Sequence, residues 1–427
     1  MSGPRISRLV TLVMACLASA VSAQGYICAE GGGNPGKGSW AEEVFGWMVE
    51  KGGRGGVVII GAVPLDSDER PALFTRLGAS GVVSLVVDQT NADSQETYDA
   101  IASARVVFIR GGDQSRYVNW WTGTKTQKAI KDVYAKGGVI AGTSAGCAVL
   151  GEITYDAKHG GLSPIDILHD ARHADLTLTP DFLGFTPGVL YDTHFTERGR
   201  LPRLAAMLAV CAIDLKREIV GLGVDPRTAV CVGPDGVAEI RGEGTVTMLR
   251  IVDDTVAEVE AGKPPSVRAL AYSQWPAGYR VDVKRWEVVS RPDYVKHVPA
   301  GSKSGVYGAF TPVTIDGGGA DGEAVQYLRD VSVVRRTWSG KQIAEAMRAG
   351  QLWVSSGPGS KAFYIDEGAR VTVDGEFKML VGCTGERARS VVLLRGSGIT
   401  WAGISSTEQP AIEGATLDVV RACEAGK

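Results

Sequence analysis

The chain has 427 residues, 44% of them hydrophobic and 22% charged, with a formal net charge of −3. That length exceeds one ordinary core and favours two domains, while the composition is that of a folded globular protein and excludes a disordered chain. The mildly acidic balance argues against a nucleic-acid partner, which needs a basic face.

The N-terminus carries Arg5 and Arg8, then the apolar run Leu9 to Val21, then Val21-Ser22-Ala23 before Gln24. A basic start, a short apolar run and small residues read as a secretory signal peptide over residues 1–23, so a secreted or periplasmic protein beginning at Gln24 is expected. Val13-Met14-Ala15-Cys16 is a weaker alternative, as a lipoprotein processing site. The run is too short to span a bilayer, and no later stretch approaches about 18 consecutive apolar residues, so no membrane partner is expected. Cys28, Cys147, Cys211, Cys231, Cys383 and Cys423 remain in the mature chain. Cys147 and Cys231 read as small core residues, and Cys383 with Cys423 as a candidate bridge.

From Tyr26 to about Ile251, near-continuous apolar runs alternate with amphipathic stretches. The runs at Val57 to Val63, Val82 to Val87, Val106 to Arg110, Val139 to Thr143, Val189 to Thr193 and Ile219 to Val224 have the pattern of strands buried on both faces. Helices are expected at Ala41 to Lys51, Gln95 to Ala104, Gln127 to Lys136 and Leu201 to Val210. The alternation predicts an α/β domain over residues 24–253, built on a doubly wound, mainly parallel sheet whose ligand site lies beyond the carboxyl ends of its strands. Short alternating strands follow at Val237 to Ile240 and Thr245 to Met248. Residues 254–427 lose the βα rhythm and read as a smaller β-rich α+β domain, with strands at Tyr279 to Val283, Ala362 to Ile365 and Val391 to Leu394, a helix at Gly340 to Ala349, and no chemical motif.

Gly142-Thr143-Ser144-Ala145-Gly146, directly behind an apolar strand, reads as a nucleophile elbow. Its alternative is a small-residue turn that happens to hold a serine. Of the five histidines, His159, His169, His173 and His297 lie in polar segments. His194 instead closes the run Val189-Leu190-Tyr191, on the edge expected for the elbow, and is the candidate base. Just beyond it stand Arg198, Arg200 and Arg203, whose forks suit substrate carboxylates and which sit awkwardly at a helix start. Phe108-Ile109-Arg110-Gly111-Gly112-Asp113-Gln114 ends another strand in a glycine pair; Gly112 and Ala145 would supply two N–H donors to an oxyanion. Gly31-Gly32-Gly33-Asn34-Pro35-Gly36 has the spacing of a dinucleotide loop, but Pro35 removes a donor and no acidic residue follows at the end of Val57 to Gly61. No nucleotide, metal or other cofactor is called for.

Together, Phe108 to Gln114, Gly142 to Gly146 and Asp192 to Arg203 resemble cyanophycinase and the serine peptidase family that also includes aspartyl dipeptidase. The resemblance spans about Gly25 to Ile251. It implies an amidotransferase-like fold, Ser144 as nucleophile, His194 as base, Gly112 and Ala145 at the oxyanion, and Gln114, Asp192, Arg198, Arg200 and Arg203 around the substrate. It also implies a homodimer and, as substrate, cyanophycin, released as β-aspartyl-arginine dipeptides. Two positions depart from the family: Thr193 replaces a glutamine, and Pro226 in Gly221-Leu222-Gly223-Val224-Asp225-Pro226 replaces the acid that orients the histidine. Asp225, Asp156 or a weaker partner then holds His194, with Asp225 favoured. An aspartyl or isoaspartyl dipeptidase, and an inactive secreted binding protein, are the other readings.

Overall fold

The computed structural model describes residues 25–292 except 37, 38, 164, 165, 168, 169, 196, 197, 199, 254 and 264, together with the strand backbones at 295–298, 377–382, 390–396, 399–404 and 407–421. The expected signal peptide, strand at 362–365, helix at 340–349 and Cys383/Cys423 bridge lie outside the described residues. Within them the order is β1 (Tyr26–Glu30), α1 (Ser39–Lys51), β2 (Val57–Gly61), α2 (Arg70–Arg76), β3 (Val82–Val86), α3 (Gln95–Ala102), β4 (Val106–Ile109), α4 (Gln114–Trp121), α5 (Lys125–Ala135) and β5 (Val139–Thr143), in which α2 and α4 are helices beyond those expected. A four-residue helix, α6 (Ala145–Ala148), follows β5 at once. Then come β6 (Gly151–Tyr155), β7 (Leu178–Pro180), β8 (Thr186–Asp192), α7 (Leu201–Val210), β9 (Val220–Val224), β10 (Thr228–Val232), β11 (Val237–Gly242) and β12 (Thr245–Arg250).

The α/β class holds, and the strands divide between two sheets. In the first, β1, β5, β4, β2 and β3 run parallel, and β10 and β11 continue the sheet antiparallel from β1. In the second, β6, β8 and β9 are parallel, with β12 antiparallel beside β9. Near-continuous apolar runs do not distinguish one sheet from two, because a strand between helix and helix and a strand between helix and sheet are buried alike. The strands at 189–193 and 219–224 are of the latter kind. Val189, Tyr191, Val220 and Leu222 face the same core as Ile27, Ile109 and Ile140 of the first sheet, while α7 covers the outer side of the second sheet.

On the first sheet's other face, α1 and α2 pack through an aromatic cluster: the Phe45 ring lies 5.1 Å from Phe74 and 5.4 Å from Phe108. Such pairs contribute beyond the burial of their area. β3 is the edge strand, which leaves Val83 and Val86 exposed where burial on both faces was expected.

Past residue 253, β13 (Val256–Glu258) pairs with β14 (Ser266–Pro276), β14 with β12, and β15 (Arg280–Asp282) with both β11 and β16 (Glu287–Ser290). Both sheets therefore run on into the residues expected to form a separate domain. Hydrogen bonding between strands is not visible in local composition, and β13 and β14, on either side of the glycine- and proline-rich link, pair antiparallel.

Candidate active site

Ser144 stands between β5 and α6 with φ 51° and ψ −115°, a backbone conformation that an L-residue adopts only under strain. Its neighbours explain how the turn closes. A β-carbon on Gly142 would lie 2.2 Å from the Gly146 carbonyl oxygen, and one on Gly146 would lie 2.1 Å from that of Ile109. Neither position admits a side chain, which is the steric requirement of the elbow. The Ser144 N–H donates to the Glu30 carbonyl at 3.0 Å, pinning the turn to the end of β1.

His194 arrives from the other sheet, two residues beyond β8. The same-edge expectation is met across two sheets rather than along one. The His194 N–H donates to the Gly31 carbonyl at 2.8 Å, and its Nε2 lies 3.0 Å from Ser144 Oγ. Gly32 allows this approach, since a β-carbon there would be 2.4 Å from Nε2. The glycine run set aside as a nucleotide loop is thus the shelf on which nucleophile and base meet. His159 is exposed and the His173 Nδ1 accepts the Asp175 N–H, so neither joins them.

Ser144 opens into a cavity of about 610 Å3, walled by Gly112, Gln114, Ala145, Asp192, Arg200 and Arg203 among others. These predicted residues do come together, but in unequal roles. Arg203 is 2% exposed and directs its whole fork inward: Nε donates to Asp192 Oδ2 at 3.0 Å, Nη2 to Asp192 Oδ1, and Nη1 to the Leu162 carbonyl at 2.6 Å. Its guanidinium also lies over the Tyr155 ring at 4.9 Å. Arg200 Nη1 donates to the Thr193 carbonyl at 2.6 Å and to Asp192 at 3.3 Å. Asp192, expected among the residues around the substrate, holds two of the chain's own guanidinium groups.

Burial alone would raise the Asp192 carboxyl, but the Arg203 and Arg200 charges outweigh it and hold it below the usual range. Burial and the Arg203 charge push Arg200 down to about 9, which still leaves it protonated at neutral pH. Its Nε and Nη2 make no bond to the described residues, so this is the arginine equipped to take a ligand carboxylate. Arg198 is exposed at the cavity rim. Gln114 Nε2 donates to the Tyr155 carbonyl at 3.2 Å, which leaves its own carbonyl oxygen for a ligand.

Of the two acids offered for orienting His194, Asp156 is committed elsewhere. It accepts the hydroxyls of Thr177 and Thr179 and the Lys158 N–H, and pairs with Lys158 Nζ at 3.3 Å. Asp225 is 1% exposed, and its Oδ2 accepts the Thr245 N–H at 3.0 Å and hydroxyl at 2.8 Å. Sequence reasoning missed Glu30, Tyr155 and Leu162. Glu30 had one legible signal, a carboxylate inside an apolar strand immediately before the glycine run. Among the described residues no group of acidic, histidine and cysteine side chains is arranged to hold a metal.

Residues 70–239 match the family model of Peptidase family S51. The chain is 31% identical over 224 residues to a cyanophycinase of Synechococcus elongatus, covering 50% of this chain and 66% of that one. It is 29% identical over 184 residues to a cyanophycinase of Geminocystis herdmanii, covering 43% and 63%. The chain thus spans somewhat less than two thirds of the relatives it matches. A crystal structure of a peptidase from an acI-B1 Actinobacterium covers 61% of this chain and 98% of its own, at 20% identity and a TM-score of 0.43.

The contact at Gly32 gives a direct test of the geometry. Gly32→Ala, at φ +121° and with its methyl inside the imidazole, is expected to lower hydrolysis about a hundredfold while the circular dichroism spectrum stays native. Undiminished turnover would show that the imaged approach of His194 is not the working one. The region that carries Ser144, His194 and the arginines behind them is thus similar to Peptidase family S51 and to curated cyanophycinases.

Proposed function

We propose that the protein is a serine-type exopeptidase that cleaves cyanophycin into β-aspartyl-arginine dipeptides. The observation that carries this is the 3.0 Å contact between His194 Nε2 and Ser144 Oγ on a strained elbow, opening into a cavity with a carboxylate-ready arginine. The cyanophycinase relatives support the choice of substrate.

In this reading Arg200, with Arg198 at the rim, takes the free carboxylate at the polymer's end and fixes the register of cleavage. Ser144 Oγ attacks the backbone carbonyl while His194 Nε2 takes its proton. The N–H groups of Gly112 and Ala145 receive the oxyanion. As the tetrahedral intermediate collapses, the C–N bond breaks and His194 returns the proton to the leaving amine. Water then adds to the acyl-enzyme, giving its proton to His194; as that second intermediate collapses, the ester C–O bond breaks, His194 returns the proton to Ser144 Oγ and the carboxylic acid product leaves. Asp225, a buried acid next to the position where the family's orienting acid is expected, is the proposed orienter of the imidazole.

Wild-type protein incubated with insoluble cyanophycin should release soluble dipeptide, and Ser144→Ala should release none above background. Equal release from both would sink the serine mechanism, and release from neither, with isoaspartyl dipeptides cleaved instead, would establish the dipeptidase reading. Asp225→Asn should lower turnover by up to about ten-thousandfold with little change in KM; an unchanged rate removes Asp225 from the mechanism. We also propose export, supported by Arg5, Arg8 and the apolar run behind them. Edman sequencing of protein expressed in its own host should begin at Gln24, and an intact Met1 start rules the cleavage out.

A further inference from the structure

Glu30 is the last residue of β1 and is 1% exposed. In the parallel pairing of β1 with β5 it stands opposite Thr143, the residue immediately before the nucleophile. Its carbonyl accepts the Ser144 N–H, and the next carbonyl, of Gly31, accepts the His194 N–H. Oε1 of Glu30 and Oγ1 of Thr143 are both buried and neither makes a hydrogen bond of standard geometry among the described residues, yet the hydroxyl stands near enough to favour the carboxylate. Placing a carboxyl there is costly, since an unpaired buried polar atom forfeits its hydration, and nothing in the packing of the sheet requires it.

Resting on the serine-peptidase reading above, we propose that Glu30 is a positioning residue: its carboxyl, acting across the strand pair on Thr143, sets the alignment of Ser144 with His194. The ionised form is the aligning one, because only a carboxylate attracts both the Thr143 hydroxyl proton and the guanidinium of Arg70 at the start of α2. Burial raises the Glu30 carboxyl to about 7, against the opposing effects of Arg70 and the Thr143 hydroxyl. Near it are Cys28 on its own strand and Cys147 on α6, both pushed well above their ordinary range by burial and therefore neutral across the range in question. Arg70 is itself paired with Asp68 at 2.9 Å. His194 contributes an ionisation of its own, so the difference between wild type and variant is what assigns Glu30.

The test follows the rate at which a fluorophosphonate probe labels Ser144, as a function of pH, alongside kcat and KM on cyanophycin. Glu30→Gln mimics the neutral carboxyl. It should label at a rate near that of wild type at about pH 5.5 and tenfold or more slower at about pH 8.5, lowering kcat with KM held. Thr143→Val, which removes an interaction favouring the carboxylate, should move the wild-type limb to higher pH. Stability supplies a second readout. A carboxyl raised on folding stabilises through its protonated form, fully below about 4.5, and that contribution is lost as pH rises through about 7. Wild type should therefore lose melting temperature across that window relative to Glu30→Gln. Superimposable pH profiles for wild type and Glu30→Gln overturn the proposal. If Glu30→Gln does not fold, an unshifted limb in Thr143→Val overturns it instead. Wild type that resists the label, or Ser144→Ala that accepts it, overturns the nucleophile assignment and this proposal with it, and identifies Ser144 rather than Glu30 as the error.

Discussion

Two adjacent carbonyls at the end of β1 hold the site together. Glu30 receives the N–H of Ser144 and Gly31 receives the N–H of His194, so a single peptide plane separates the anchors of nucleophile and base. Everything else is arranged so that those two bonds can form. The elbow must be tight enough to present its amide to β1, which removes side chains from Gly142 and Gly146; the second sheet must bring β8 close enough for its loop to reach Gly31; and Gly32 must be bare for the imidazole to pass. Because main-chain bonds between rigid strands fix both residues, the 3.0 Å contact does not depend on the rotamer of a long side chain.

The electrostatics of the cavity follow from a second arrangement. Asp192 and Arg203 satisfy one another in the wall, which makes them a braced surface rather than a receptor. Truncating one partner of such a buried pair leaves an uncompensated charge, whereas the intact pair is nearly neutral toward a ligand. In the proposed reading the recognising charge is then Arg200, whose guanidinium is held by the Thr193 carbonyl and by Asp192. The substitution of Thr193 for glutamine matters less for that reason: it is the Thr193 main chain that holds Arg200.

What was legible in the chain was whatever depended on local pattern. Leu201–Val210 and Val139–Thr143 form over the spans that their apolar periodicity marks, and Ser144 and His194 stand at strand ends as expected. What was not legible depended on pairings between distant segments. No local signal separates β8 and β9 from the first sheet, or ties β14 to β12 across the glycine- and proline-rich link. Asp192 and Arg203 looked like two ligand groups because their types suit a substrate, and only their distance shows that they suit each other. Gly31 to Gly33 were recognised as backbone intended for close approach, but the approaching group is the imidazole of the same chain and not a phosphate.

If Ser144 and His194 work as the proposed dyad, its division between two sheets means that neither half of the domain is a hydrolase by itself. Residues 25–143 can complete the parallel strands β1 to β5 and leave Ser144 an inert hydroxyl, since its base is delivered some fifty residues later by a strand of the other layer. In the serine-peptidase reading, reactivity therefore waits on contacts between distant segments, such as that of Gly31 with His194, whose loop-closure cost is high. A nascent or partly unfolded molecule of this kind is harmless to the polypeptides around it, a safeguard that comes from topology and needs no inhibitory segment.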